Sequence, residues 1–291
     1  MKDFVYFDFA VTKLRNFFKS RGYIEVHPQS RLSILAACED PKTIATYNYA
    51  NTLWPLPQTG QMWLEHDLLR NPEVPGLFCV TTSYRQEPNP IPGRHELIFP
   101  MFEFETHGGI EELQKLEEDF IEYLGFGDKQ EFKAANYLDV ASHFKVKEID
   151  SKCEEKINEE LGSVFFLKNF PQYTSPFWNM KKDGDVAKKI DVILFGVETV
   201  GSAERSTDRE EMRELFHTIS NGMYANILYA HFGKERVLKE LNEFLSFDFF
   251  PRCGGGIGLT RLIRALKMIN EDKYYGAVKS RSDMSATRDM F

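Results

Sequence analysis

The chain has 291 residues, of which 42% are hydrophobic and 14% aromatic, and its 36 Lys and Arg against 44 Asp and Glu give a formal net charge of −8. This composition supplies a sizeable core and excludes wholesale disorder. The length suits one large domain or two small ones. No apolar run approaches the roughly 18 residues that a membrane helix requires. The acidic balance argues against tight nucleic-acid binding, because phosphates require counter-charges.

The N-terminus and the cysteines favour a cytoplasmic protein. Asp3 and Asp8 fall where a signal peptide needs an apolar stretch. The cysteines are far apart and lack the spacing of metal ligands, so reduced thiols are the simplest interpretation. They are Cys38, Cys79, Cys153 and Cys253. We therefore expect a cytoplasmic location and no membrane-spanning segment.

Hydrophobic periodicity predicts the elements in chain order. Helices are expected over about 7–18, 61–69, 111–124, 209–232 and 235–246, and a Gly-rich strand running into a helix over 254–267. Strands are expected over about 23–26, 80–85, 97–104, 164–167 and 190–204. The polar, mixed stretch at about 126–162 indicates a surface insertion. Because the strands cluster into hairpins with helices between them, we expect a single α+β domain over 1–291, with an antiparallel sheet flanked by helices.

Two acidic residues flank a candidate hairpin turn at Phe195-Gly196. If this is a two-residue turn, Ile193 faces Glu198, and Asp191 shares the face of Ile193 because side chains alternate along a strand. The two carboxylates are then diagonal neighbours within reach of a shared hard cation. The alternative is two solvated carboxylates on a polar face, which is the commoner arrangement for such a pair taken alone.

A second group of residues suits a polyphosphate. Arg85 and Glu87 share one strand face, and the loop that follows carries Arg94 and His95. A guanidinium at a strand end beside a cationic loop offers charge-assisted, bidentate donors. Alternation places on one face of the next strand Phe99, Met101, Glu103 and Glu105. Phe99 can stack on a planar base, although a surface hairpin with ordinary ion pairs would also explain Arg-x-Glu.

The third group is a glycine-rich strand followed by an arginine. Gly254, Gly256 and Gly258 fall on one strand face and leave it without side chains. Arg261 lies in the first turn of the next helix, where the helix dipole favours an anion. Tight packing by itself also explains many glycine runs.

In this order, the three groups resemble the motifs of the class II aminoacyl-tRNA synthetases. Pro28, after the first helix and strand, is similar to motif 1. The segment from Arg85 to Glu105 resembles motif 2, and Gly-x-Gly-x-Gly-x-x-Arg at 254–261 resembles motif 3. The resemblance extends roughly from 8 to 270.

Three further features are similar to the aspartyl/asparaginyl branch of that class. Residues 57–61 resemble its Pro-Gln-Ser-Pro-Gln, and Asp191 and Glu198 match its metal-binding acids. Residues 201–205 resemble its Gly-Gly-Ser-x-Arg, whose arginine holds the substrate side chain. Strict alternation would put Arg205 on the face opposite Glu198, so this assignment requires a bulge near Gly201.

Two departures stand beside the resemblance. The helix of motif 1 begins within the first dozen residues, so we expect no anticodon-binding barrel. The size is then similar to that of asparagine synthetase A and of the archaeal asparagine synthetase related to asparaginyl-tRNA synthetase. Pro100 is also unusual for a central strand, because it removes a hydrogen-bond donor.

The resemblance implies adenylation, in which a substrate carboxylate attacks the α-phosphate of ATP and pyrophosphate leaves. For ATP it implies Arg85 at the α-phosphate, Arg261 at the γ-phosphate, Arg94 or His95 at the pyrophosphate end, Glu87 and Phe99 at adenine, and the backbone of Gly254, Gly256 and Gly258 beneath. For magnesium it implies Asp191 and Glu198. For aspartate or asparagine it implies Arg205, Gln58, Gln61 and Glu39.

The resemblance leaves the acceptor of the activated amino acid open. We expect a homodimer through the motif 1 region, in which ammonia attacks aspartyl-adenylate to give asparagine. The alternatives are aminoacyl transfer to tRNA or to a protein, and a regulatory paralogue without turnover. Tight tRNA binding is not expected at a net charge of −8.

Overall fold

In the computed structural model, residues 3–28, 33–37, 41–90 and 96–269 are described. The helices are α1 (Asp3–Ser20), α2 (Gln61–Arg70), α3 (Ile110–Leu124), α4 (Tyr137–Phe144), α5 (Ser151–Lys156), α6 (Arg209–Thr218), α7 (Met223–Phe232), α8 (Lys234–Leu245) and α9 (Leu259–Ile269). The strands are β1 (Ile24–Glu25), β2 (Thr46–Tyr49), β3 (Thr52–Pro55), β4 (Gly76–Tyr84), β5 (Ile98–His107), β6 (Lys133–Asn136), β7 (Val164–Pro171), β8 (Lys182–Asp183), β9 (Val186–Leu194), β10 (Val197–Glu204) and β11 (Arg252–Gly258).

One large sheet organises the chain, in the order β1-β4-β5-β11-β10-β9-β7-β6, with β8 paired to β9. The pairs are antiparallel except at the two edges, where β1–β4 and β6–β7 run parallel. The α+β prediction is therefore confirmed. The last of the described strands, β11, lies in the middle of the sheet, between β5 and β10.

The two faces of the sheet differ in chemistry. On one face, Phe102 and Phe104 pack against Phe18 of α1, with ring centroids 5.2 and 5.1 Å away. Helices α3 and α9 cover the same face through side chains such as Phe120 and Leu262. Because side chains alternate, the intervening residues of β5 point to the opposite face, which carries the candidate site.

Two walls border the site face. At β4, α2 packs Leu64 and Leu68 against Leu77 and Cys79. At the β7 edge, α4 and the turn after α5 pack against the sheet in a cluster that includes Tyr137, Ile157 and Ile193. The segment 126–162 thus contributes the edge strand β6 and a hydrophobic cluster of its own, which its polar composition did not indicate.

Pro100 is accommodated because β5 has a neighbour on only one side at that point. The register pairs Pro100 with Thr82 of β4. On the other side, the pairing with β11 ends at Met101, opposite Gly258. The missing N–H of the proline therefore costs no bond to β11.

The single helix predicted over 209–232 is wrong. The chain breaks between α6 and α7, where Ser220 and Asn221 have φ of 53° and 56° and Gly222 has φ of 77°. These left-handed conformations cannot continue an α-helix. None of the helices that the structure describes is long and apolar enough to cross a membrane.

Candidate active site

The glycine face of β11 lies at the centre of the site face. The register places Gly254 opposite Glu105, Gly256 opposite Glu103 and Gly258 opposite Met101, so the three glycines do share one face. A Cβ atom at Gly254 would overlap the Glu105 carboxylate and lie 2.4 Å from the Phe104 carbonyl oxygen. The close approach of β5 therefore requires glycine there.

The hairpin of β9 and β10 brings two carboxylates together as predicted. Glu198 pairs with Ile193 across a two-residue turn, in which Phe195 and Gly196 have φ of 49° and 75°. Asp191 pairs with Gly201. A Cβ atom at Gly201 would lie 3.2 Å from Glu198 Oε1 and 3.6 Å from Asp191 Oδ1. Both carboxylates thus reach over the glycine.

A bulge in β10 places Arg205 on the same face of the sheet as Glu198. The register of β10 against β9 shifts between Glu198 and Val200, so Thr199 is the extra residue. Gly201 and Arg205 then share the face of Glu198. The bulge that strict alternation requires is present, two residues before the predicted position.

The donor set of the hairpin fits magnesium. Mg²⁺ is commonly bound by one or two carboxylates, with waters and substrate phosphates as the remaining ligands. Asp191 and Glu198 supply that number, and no group of three or more His, Cys, Asp or Glu suited to a metal occurs among the described residues. Lys189 Nζ lies 3.0 Å from Asp191 Oδ2, and Arg261 Nη1 lies 3.6 Å from Glu198 Oε2. Both carboxylates therefore have a cationic neighbour.

Three of the predicted ATP residues, Arg85, Glu87 and Phe99, lie near the ends of β4 and β5. Arg85 directly follows β4, and its guanidinium carbon lies 5.6 Å from the centroid of the Phe99 ring on β5. Glu87 lies two residues further along and is half-buried. Arg94 and His95 are outside the described residues.

Arg261 joins the glycine strand to the acidic hairpin. It is the third residue of α9, and its Nη1 donates to the carbonyl oxygen of Glu198 at 2.8 Å. Arg264, one turn later, donates to the carbonyl oxygen of Phe195 at 3.3 Å. The start of α9 therefore holds the hairpin that carries Asp191 and Glu198.

Glu103 connects the predicted amino-acid loop to the sheet. Its carboxylate is fully buried and accepts hydrogen bonds from Thr59, Thr81 and the backbone N–H of Gly60. Burial raises the pKa of Glu103, although these donors and the nearby charge of Arg85 oppose the rise. A Cβ atom at Gly60 would lie 2.9 Å from Pro28 Cγ, which brings the motif 1 proline to the same loop.

Arg205 is buried in an ionic network that sequence reasoning missed. Its Nε and Nη2 each lie 3.1 Å from an oxygen of Glu105, and its Nε lies 3.6 Å from Glu65 Oε1. Glu65 also accepts from Arg252 at 2.8 and 3.0 Å. Burial raises the pKa of Glu105 to about 7, against the opposing charge of Arg205. No local pattern links α2 to these strands, since Glu65 and Arg252 are 187 residues apart.

The predicted glutamines differ in their surroundings. Gln58 is buried and its Nε2 donates to Thr43 Oγ1 at 2.7 Å. Gln61 begins α2, and its buried Nε2 has no hydrogen-bond acceptor among the described residues. Gln61 therefore has a donor available for a ligand, whereas one donor of Gln58 is engaged by the protein. Glu39 is outside the described residues.

The family comparison agrees with this geometry. Residues 2–272 match the family described as tRNA synthetases class II (D, K and N). The chain therefore belongs to the class II tRNA synthetases of this group. The class II synthetases as a family are ATP-dependent ligases that generally use Mg²⁺.

This chain matches only part of the length of each curated relative. An aspartate–tRNA(Asp/Asn) ligase of Methanopyrus kandleri is 25% identical over 236 residues, which is 67% of this chain and 51% of the relative. An aspartate–tRNA(Asp) ligase of Pyrobaculum aerophilum is 29% identical over 115 residues, 40% of this chain and 24% of the relative. The chain thus spans about half or less of the curated relatives it matches.

The fold is shared with a solved synthetase. The crystal structure of asparaginyl-tRNA synthetase from Pyrococcus horikoshii complexed with asparaginyl-adenylate superposes with a TM-score of 0.74 at 18% identity. The match covers 91% of this chain and 64% of that one.

Proposed function

We propose that this chain activates aspartate, or asparagine, as the acyl-adenylate, with ATP as the second substrate. The observation that carries the proposal is the convergence of Asp191 and Glu198 over Gly201, with Arg261 beside Glu198 next to the glycine face. Two carboxylates and a guanidinium at one point offer both a cation site and a phosphate ligand. The named curated relatives are aspartate–tRNA ligases, which supports an acidic or amide amino acid as substrate.

In adenylation, the protein contributes mainly by positioning the two substrates and by neutralising phosphate charge. An oxygen of the substrate carboxylate attacks the α-phosphorus of ATP, and the bond to the pyrophosphate oxygen breaks. Arg85 would hold the α-phosphate and Arg261 the γ-phosphate, while Phe99 would stack on adenine with Glu87 beside it. Mg²⁺, when held by Asp191 and Glu198, supplies further neutralisation of phosphate charge.

The amino-acid side chain would be held by Arg205. Glu105 occupies Nε and Nη2 of its guanidinium, and Nη1 is part of neither hydrogen bond. Nη1 would bind the side-chain carboxylate or amide oxygen, with Gln61 and Gln58 beside it. Glu39 at the α-ammonium, and Arg94 or His95 at the pyrophosphate end, stay predictions from the resemblance.

Pyrophosphate exchange into ATP tests this proposal across the amino acids. Exchange with aspartate or asparagine should exceed exchange with leucine by orders of magnitude, because an apolar side chain leaves the polar pocket unpaired. Equal rates for leucine and aspartate would overturn the assignment of Arg205. ATP binding without any exchange would instead favour a regulatory paralogue.

For the acceptor, we propose ammonia, which would give asparagine. The support is the run Gly255-Gly256-Ile257-Gly258 with Arg261, which is close to motif 3 of asparagine synthetase A. Transfer to tRNA is the second candidate, because the named relatives are tRNA ligases. The enzyme is given aspartate, ATP and magnesium, followed by ammonium or total tRNA. Asparagine formed only with ammonium supports the proposal, whereas aminoacyl-tRNA at about 1 per second or faster would overturn it.

We also propose a homodimer through α1. Phe4 on α1 and Met268 on α9 line one cavity of about 630 Å³ and are 66% and 52% exposed. Exposed apolar side chains beside one another are typical of interfaces. Sedimentation of the wild type and of Phe4→Glu checks this: the variant should shift toward the monomer.

A further inference from the structure

The backbone of Glu198 has two polar groups that the sheet leaves unpaired. In a two-residue hairpin the closing pair, Leu194 and Val197, exchanges both hydrogen bonds, and the groups of the next residue point outward. That next residue is Glu198. On its outer side, pairing with β11 begins only at Val200. Because β11 does not extend alongside Glu198, its N–H and C=O have no strand partners.

Two side chains from different parts of the chain form hydrogen bonds with these two backbone groups. Arg261 Nη1 donates to the carbonyl oxygen of Glu198 at 2.8 Å. The N–H of Glu198 donates to Glu154 Oε2 at 3.1 Å. Glu154 belongs to α5, within the segment 126–162. The residue that carries a metal-binding carboxylate is thus held on one side by α9 and on the other by α5.

The packing of α5 fixes Glu154 at this position. A Cβ atom at Gly196 would lie 3.1 Å from Glu155 Cα and 3.3 Å from the carbonyl oxygen of Glu154, so helix and turn are in direct contact. Ile157, directly after α5, is fully buried in one cluster with Ile193, the pairing partner of Glu198. The carboxylate of Glu154 is therefore positioned by a packed helix and not by an exposed loop.

We infer that Glu154 is a positioning residue for the cation site: by accepting the N–H of Glu198, it holds the Glu198 side chain over Gly201, where it meets Asp191. This inference rests on the proposed function, because it takes the Asp191–Glu198 pair as the ligand of the magnesium that accompanies ATP. Groups that orient metal ligands in this way commonly contribute about 10–100-fold to metal affinity. The segment 126–162 then has a role in the site as well as at the sheet edge.

Manganese titration followed by electron paramagnetic resonance, in the presence of ATP, measures this role without turnover. We expect Glu154→Ala to weaken Mn²⁺ binding about tenfold. Glu154→Gln keeps an oxygen that can accept the N–H, so its affinity should return close to that of the wild type. Glu155→Ala is the matched control, because it removes the same charge from the same helix at an exposed position.

Four outcomes would overturn the inference. Mn²⁺ binding by Glu154→Ala as tight as by Glu155→Ala would show that the hydrogen bond does not orient Glu198. Equal weakening in Glu154→Gln and Glu154→Ala would assign the effect to charge instead of positioning. A wild type that exchanges pyrophosphate but binds no Mn²⁺ beside ATP would remove the inference alone, whereas a wild type that does neither would remove the proposed function as well.

Discussion

Arg205 and Glu105 form a bidentate ion pair across the sheet, with both nitrogen–oxygen distances at 3.1 Å. Arg205 is 3% exposed and Glu105 is fully buried. The fork of a guanidinium matches a carboxylate at this geometry, which fixes the direction of the side chain. Any ligand of Arg205 therefore meets a guanidinium whose orientation is set before binding.

Replacing Arg205 with methionine should strongly destabilise the fold. The change leaves Glu105 buried without its partner and removes one cation near Glu65. Breaking a buried pair from one side costs about 3–5 kcal/mol. Urea denaturation measures the loss. Arg213→Met is the control, since its contact with Glu210 is exposed and about 1 kcal/mol or less is expected; equal losses in the two variants would contradict the buried network.

Gly254→Ala should destabilise the protein far more than Gly258→Ala. The new methyl group at Gly254 would meet the Glu105 carboxylate and the Phe104 backbone, which cannot move without shifting β5. At Gly258 the nearest atom, Arg261 Cδ, lies 3.7 Å away, at ordinary contact distance. Overpacking of this kind costs about 1–3 kcal/mol or more. Thermal unfolding of both variants distinguishes them, and similar melting temperatures would refute the close approach of β5 and β11.

Glu117→Gln should make stability less dependent on pH. Glu117 of α3 is fully buried, and burial raises its pKa well above the ordinary value of 4.5, with Ser202 opposing the rise. Above pH 4.5 the unfolded chain releases a proton that the folded protein still holds, so stability falls as pH rises. The neutral amide avoids this loss, and the variant should gain stability relative to the wild type toward pH 8.

The pH test compares free energies of unfolding at several values between pH 5 and 8. Glu111→Gln, on an exposed part of the same helix, should leave the slope unchanged. Glu105 has a pKa raised to about 7 and contributes a slope of the same sign in all variants. A Glu117→Gln profile parallel to that of the wild type would contradict the prediction.

Glu198→Gln should abolish most pyrophosphate exchange while the melting temperature hardly changes. The amide keeps the shape of the side chain but removes one of the two charges available to a cation. The side chain is 37% exposed, and its contact with Arg261 Nη1 is long, at 3.6 Å. Little folding energy therefore depends on its charge. Exchange at the wild-type rate would return Asp191 and Glu198 to the interpretation of two solvated carboxylates.

The sequence was most informative where a local rule applies. The turn at Phe195-Gly196 and the alternation around it predict the pairing of Glu198 with Ile193, and the structure has that register. Alternation also predicts the shared face of Glu103 and Glu105 on β5. The observed register places these two residues opposite Gly256 and Gly254. These relations depend on neighbours within a few residues, which is the range over which periodicity carries information.

Contacts between residues far apart in the sequence could not be predicted from periodicity. Glu65 meets Arg205 and Arg252 only because α2 lies across the sheet, and nothing in the helical spacing of α2 identifies a buried ion pair. The contact of Glu154 with Glu198 likewise depends on how α5 packs on the turn. β6 and β8 were not among the predicted strands, although both belong to the nine-stranded sheet of the described residues.

The central place of β11 has a consequence for the order in which the molecule can be assembled. Its residues, Arg252–Gly258, leave the ribosome after every other strand that the structure describes, yet β5 and β10 each require them as a neighbour. Until then the nascent chain has two partial sheets, β1-β4-β5 and β10-β9-β7-β6, each with an open edge. A chain that stalls before residue 252 would therefore expose both edges to pairing with other chains. The pairing of β11 with β5 also spans the largest sequence separation of any strand pair in the described sheet, which makes closure of the sheet a slow step.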